Sequence, residues 1–300
     1  MKKFLPIVII FVIVLACAPI GQPTAPAGPG VETIVAMTIE ALTKAAPPVT
    51  EAPEVPTSLP PTQPNGTVVS YENVSFVLPQ GLASNALSGT VPAVPPTQDG
   101  PGWDVAPEYI KFELDGYPLF DTFHRPQILV YPAEEFAAVN EAASRNITRL
   151  QALLNGSAAA PTAENLPTIP FFNAGQVFAA QIKTIQFQNG SGVRFLTEYA
   201  QSYNTANNRD LFYQFQGLTG DGKYYIIAIL PASHPLLAFD ERPETVVPAG
   251  GIPFPGFDDQ NALNAYYPAV VSLLNASAPE SFNPALSALD ALIQSIAIAP

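Results

Sequence analysis

The sequence predicts an α+β domain: a single antiparallel β-sheet flanked by a mid-chain helix and C-terminal helices, behind an apolar leader and a disordered Pro-rich linker. Three observations carry this reading. Residues 177–230 alternate in polarity around two tight Asn/Gly and Gly/Asp turns, which is the signature of antiparallel strands. Residues 134–154, and again those after 258, repeat their apolar side chains at three and four, the spacing of an amphipathic helix. The strands come in runs instead of alternating with helices one for one, which separates α+β from α/β.

Taken in order, residues 67–70 and 74–78 are β-branched and alternating around Tyr71-Glu72-Asn73, and read as a hairpin. Residues 79–107 are rich in Pro, Gly and Ser, and read as a long loop carrying Trp103, the only tryptophan. Residues 109–114 are a strand, Asp115-Gly116 a hairpin turn, and 117–120 the start of its return. Residues 127–131 are a strand ended by Pro132. Residues 134–154 read as one helix with Phe136, Val139, Ile147, Leu150, Leu153 and Leu154 on one face, stopped by Asn155-Gly156. A second loop, 156–175, leads to four strands at 177–188, 193–199, 211–218 and 223–230, the antiparallel centre of the fold. Beyond a loop at 231–255, residues 258–274 are helical with an interruption at Pro268. A last helix starts with Pro284 at its first position and Asn283 as its cap.

Residues 17–65 form the linker. Eleven prolines fall among residues 18–64, a composition that cannot bury enough apolar surface to offset the entropy of ordering. Residues 31–45 lack Pro and Gly, and Val31, Ile34, Val35, Ile39 and Leu42 mark a short amphipathic helix, marginal in water on its own. Charged residues make up only 12% of the chain, about half the usual share, so Ser, Thr, Asn, Gln and Pro must cover the surface. The formal charge is −13 and becomes more negative if Lys2 and Lys3 are removed. No Lys/Arg cluster follows residue 3, which excludes a nucleic-acid footprint and charge-driven binding to anionic lipid.

The leader sets the expected location. Lys2 and Lys3 precede an almost unbroken apolar run at 4–15, too short to span a bilayer. Val14-Leu15-Ala16-Cys17 closes it with the only cysteine of the chain. This resembles a bacterial lipoprotein signal peptide, residues 1–16, with its lipobox. The resemblance implies cleavage before Cys17, a diacylglycerol thioether on Cys17, and fatty-acyl (palmitate-type) chains that hold the mature protein to the outer face of the cell membrane. Two or three chains anchor stably where one does not. Ala18 offers no acidic retention signal. With Cys17 acylated, no thiol remains for a disulfide or a nucleophile.

The domain at 66–300 carries a fainter resemblance. The opening strand Val74-Ser75-Phe76-Val77-Leu78-Pro79 and the closing run from Leu289 to Ile296 resemble the ends of the PsbP-like fold. The linker-plus-domain pattern is similar to surface lipoproteins of Chloroflexota-type bacteria. Neither resemblance brings a catalytic motif.

Chemistry-bearing residues are sparse. His124 and His234 are isolated and lack metal-ligand spacing. The G-x-S-x-G elbow is absent, and Gly190-Ser191-Gly192 reads as a turn. Glu134-Glu135 complements a helix start. Adjacent acids such as Asp240-Glu241 and Asp258-Asp259 cannot straddle a glycosidic bond. Asp221 is turn chemistry. No phosphate loop or dinucleotide fingerprint occurs, and neither a cofactor nor a metal is expected.

One cluster stands out at 199–216, rich in Tyr, Asn and Gln with Arg209. Alternation puts Leu211, Tyr213, Phe215 and Gly217 on one strand face and Phe212, Gln214, Gln216 and Leu218 on the other. Either the aromatics are core and the amides surface, or the cluster forms a groove for sugar or peptide. In a groove, Tyr199, Tyr203, Arg209 and Tyr213 would be the ligand-binding residues, since aromatic and Arg side chains most often anchor recognition. The expected function is therefore a non-catalytic, membrane-anchored binding or envelope-complex accessory domain, with a protein or glycan partner. The alternative is an extracytoplasmic hydrolase with an unrecognised active site.

Overall fold

A strand that is buried along its length must be covered on both faces, and two strands here meet that condition. In the computed structural model, which describes residues 65–97, 100–168, 173–242 and 244–300, β8 (Phe212–Thr219) and β9 (Tyr224–Pro231) are buried along almost their whole length. The chain divides into two units, Met1–Pro60 and Pro61–Pro300, and the described residues belong to the second. The expected signal peptide, Cys17, the linker through residue 64 and the 31–45 helix lie outside the described residues.

The fold is α+β and mostly antiparallel, but it has two sheets where the sequence suggested one. The larger has seven strands. Its members are β3 (Asn85–Val91), β4 (Tyr109–Asp115), β5 (Gln127–Pro132), β9, β8, β7 (Gly190–Ala200) and β6 (Gly175–Phe187), in that spatial order. The smaller sheet joins the hairpin β1 (Gly66–Tyr71) and β2 (Val74–Pro79) to β10 (Ala297–Ile298) at the chain's end, with Val74 opposite Ile298. The hairpin cannot extend the large sheet, because Val74, Phe76 and Leu78 are buried against one face of it. Alternation in the sequence revealed the strands but not their partner, since two residues at 297–298 carry no pattern.

Two hydrophobic clusters sit on the two faces of the large sheet, and the strands divide between them with period two. Ile128, Val130, Tyr213, Phe215, Ile226 and Ala228 face one cluster, while Leu129, Tyr131, Phe212, Ile227 and Ile229 face the other. The first is covered by α3 (Gln260–Ala276), α4 (Leu286–Gln294) and the small sheet; the second by α1 (Ala133–Val139) and α2 (Glu141–Leu154). Each fully buried Leu, Ile or Phe contributes roughly 1.5–3 kcal/mol, so the face under α2, with Ile147 and Leu150 buried, is a substantial part of the fold's stability.

Several boundaries differ from the sequence reading. The 79–107 loop contains β3, which pairs with β4 from Asn85↔Asp115 to Val91↔Tyr109. The return strand at 117–120 is absent, because both edges of β4 are taken by β3 and β5. The single helix at 134–154 is two, broken at Asn140. Asn140 has an extended backbone and its Oδ1 accepts from Ala143 N, so it caps the second helix. Pro268 does not interrupt α3; it is exposed, and the helix runs through it. The last helix begins at Leu286 behind Ala285, which makes no side-chain cap, so Asn283 is not its cap. Among the described residues no helix is long and apolar enough to cross a membrane.

Candidate functional site

Residues 200–202 leave the end of β7 and run between two adjoining clefts. Three of the four residues singled out from sequence line them. Tyr203 lies in the first cleft, and Tyr199 and Arg209 in the second. Tyr213 does not join them. It is fully buried, and its hydroxyl donates to Asp290 Oδ1 at 3.0 Å. The cause is β8's position: helices cover both of its faces, so Tyr213 on one and Tyr199's neighbour Phe212 on the other are core.

The first cleft, about 370 Å³, is bounded by the start of β6, the 200–203 segment and the N-terminal half of α3. A register shift between Gln176 and Phe178 marks a bulge at this sheet edge, and bulges redirect side chains. Tyr203 is 46% exposed and stacks on Tyr267, with ring centroids 5.8 Å apart and an interplanar angle of 18°. Tyr267 is itself fixed. Its hydroxyl accepts from Asn204 N at 3.0 Å and donates to Asn204 O at 2.9 Å. Burial pushes that hydroxyl up to about 12.

The second cleft, about 420 Å³, is charged. Arg209 Nη1 stands 3.7 Å from Glu241 Oε2, and Asp210 lies beside them. Burial raises the Asp210 carboxyl, opposed by its bond from Asn207, with Glu241 raising it further. Tyr199 packs its ring parallel to Phe212 at 6.0 Å, and burial raises its hydroxyl. Two exposed aromatics flank Arg209 through the backbone: Phe123 N donates to Arg209 O at 2.8 Å, and Arg209 N donates to Phe239 O at 3.1 Å.

Asn207 builds the loop that carries this charge. It is fully buried; its Oδ1 accepts from Arg209 N and Asp210 N, and its Nδ2 donates to Thr205 O and Asp210 Oδ2. Its own N–H donates to Glu198 Oε1 at 2.8 Å. Asn208 holds the neighbouring loop through His234 N, His234 O and Leu237 O. Two amides that looked groove-like in the sequence are therefore scaffold. Buried Glu198 was missed, because the strand pattern hides which acid faces inward.

The histidines are placed outside both clefts. His124 packs on Phe212 at 4.2 Å, and burial lowers it to about 4, so it is neutral near pH 7. His234 Nε2 lies 3.3 Å from Ser281 Oγ. Leu236 N donates to His234 Nδ1 at 3.4 Å, which puts the proton of the neutral ring on Nε2, facing the serine. Ser281 gives its own proton to Ala278 O at 2.7 Å. A base would need its lone pair on Nε2, so this pair is wired in the opposite sense. Among the described residues no group of three or more His, Cys, Asp or Glu could hold a metal ion.

Compared with known proteins, the chain matches no family model, and no curated protein or solved structure is detectably similar to it.

Proposed function

We propose that the chain is a lipid-anchored extracytoplasmic protein whose domain binds a partner or ligand without transforming it. The observation that carries the reading is the pair of adjoining clefts at one end of the large sheet, where Tyr203 and Arg209 reach a surface while Tyr199 packs, buried, behind the second cleft. Small-ligand sites are concave, with a few polar groups among apolar walls. Aromatic and Arg side chains fixed by neighbours lose little freedom on binding. The basic start, apolar run and lone Cys17 support the anchor.

The reading is tested in the producing cell. Metabolic labelling with a clickable palmitate analogue should mark the wild-type chain and leave Cys17→Ser unmarked. A photo-reactive amino acid at Phe123 or Tyr203 should crosslink a specific envelope component, while one at exposed Val68, remote in sequence from both clefts, should not. Absence of lipid, or crosslinking equal at all positions, would overturn the proposal. A hydrolase is the second reading, although the His234–Ser281 pair as it stands is protonated in the wrong sense for a base and nucleophile. Turnover of an ester, peptide or glycoside that vanished in Ser281→Ala would establish it in place of binding.

A further inference from the structure

Resting on the reading of the domain as a binder, we infer that the first cleft is a subsite for a neutral saccharide, with Tyr203 as the platform for one sugar ring. The argument begins with charge. The described residues lining this cleft include no Asp, Glu, Lys, Arg or His, although the charged cleft lies just across residues 200–202. A phosphate, carboxylate or ammonium entering it would lose water and find no opposite charge, which is costly. The occupant is neutral.

The polar groups that are present then select its chemistry. Gln176 Nε2 makes no hydrogen bond among the described residues and is closed off from solvent; an unsatisfied buried donor costs about 1–3 kcal/mol, which turning the amide outward to a ligand in the cleft would relieve. Asn264 spends its Oδ1 on Gln260 Nε2, keeping its amide hydrogens. Gln201 spends an Nε2 hydrogen on Asn173 O, keeping its carbonyl oxygen. Pro268 has no N–H to close the helical bond to the Asn264 carbonyl, leaving that acceptor outside the ladder. The cleft thus offers both donors and acceptors at its wall. Hydroxyl groups answer both, whereas the prolyl residues of a proline-rich segment lack N–H groups and answer only the donors.

The apolar part completes the match. A pyranose presents a face of C–H groups, and an aromatic ring covers such a face. Tyr203 is half exposed, and its stacking on Tyr267, which is tied to Asn204, holds the platform before any ligand arrives. A volume of about 370 Å³ falls within the ~300–1,000 Å³ of small-ligand sites.

The test uses the detergent-solubilised full chain on an array of neutral hexose and N-acetylhexosamine oligosaccharides, uronic-acid and sulfated oligosaccharides, and a proline-rich peptide. Affinities for cellohexaose, maltohexaose and chitohexaose follow by calorimetry. At least one neutral oligosaccharide should bind, with little dependence on NaCl. Tyr203→Ala should weaken it at least tenfold, Tyr203→Trp should restore it, Gln176→Ala should weaken it several-fold, and Val68→Ala, at an exposed position that lines neither cleft, should leave it unchanged. Melting temperatures within a few degrees of wild type would show that Tyr203→Ala still folds. If it does not, Tyr203→Trp and Gln176→Ala decide. Binding only of charged glycans, only of the peptide, of nothing, or equally by Tyr203→Ala would overturn the inference. A specific crosslink at Phe123 alongside a blank array would sink the saccharide and leave the binding function standing.

Discussion

Two carboxylates are buried beneath the helices on the same face of the large sheet, and the protein treats them in opposite ways. Asp290, on α4, is surrounded by partners. Arg194 Nε reaches its Oδ1 at 3.2 Å, the Tyr213 hydroxyl reaches the same oxygen at 3.0 Å, and Lys183 Nζ reaches Oδ2 at 2.9 Å. Glu198 lies four residues after Arg194 on β7, so it points to the same face. It is fully buried, and accepts one hydrogen bond from Asn207 N, while its Oε2 makes none among the described residues. Burial raises the Glu198 carboxyl well above the usual range, with Asp210 and Glu241 adding to the rise against the Asn207 bond. One site is a neutralised bolt joining α4 to the sheet. The other holds a proton that the unfolded chain would release, and it sits next to the loop that forms the charged cleft. A buried acid is structural where cations surround it and a stored cost where other acids do.

This contrast can be broken first at its strong end. Arg194→Met should lower unfolding free energy by about 3–5 kcal/mol, the usual result of stripping one partner from a buried ion pair, read from the urea midpoint of the full chain. A change below about 1 kcal/mol would show that Lys183 and Tyr213 suffice for Asp290.

Tyr213→Phe removes one charge-assisted hydrogen bond and nothing of the ring. A loss of about 1.5–3 kcal/mol is expected. No loss would return Tyr213 to the list of residues kept for something other than packing.

Glu198→Gln tests the other end and has the opposite sign. In the folded state Glu198 holds its proton above 4.5, where the unfolded carboxyl releases it. The folded state then binds more protons, so wild-type stability falls as pH rises from 4.5. The variant should gain little near pH 4 and progressively more towards pH 8 in thermal melts. A gain independent of pH would mean that Glu198 is not charged by unfolding over this range.

The smallest effect belongs to Lys183→Met. Its side chain is 53% exposed, and water screens such a pair, so less than about 1 kcal/mol should be lost. The loss should shrink further in high salt.

The candidate site was partly legible for the same reason that its errors occurred. Tyr, Asn, Gln and Arg gathered at 199–216 pointed to the right end of the sheet. Period two placed Tyr213 opposite Phe212, as observed, but alternation cannot say that both faces of β8 are covered. Asn207 and Asn208 resembled ligand amides because their composition is that of a groove. Only the folded loop shows that they spend their hydrogen bonds on backbone and on Asp210.

By itself the sequence determined the local elements whose physics is local. The strands β6 to β9 between their Gly-bearing turns, the amphipathic stripe of α2 and the acid-rich, lysine-poor composition all follow from neighbours in the chain. The basic start, the apolar run and Cys17, on which the proposed anchor rests, are likewise local in the chain. The tertiary structure alone decided the relations between distant residues. β2 pairs with residues 297–298 because that closes the face over Phe76. Asp290 meets Arg194 from 96 positions away. Tyr203 finds Tyr267 across the chain to make a platform. Such contacts form where burial of both partners outweighs the loop entropy between them, and no periodicity in either segment records that balance.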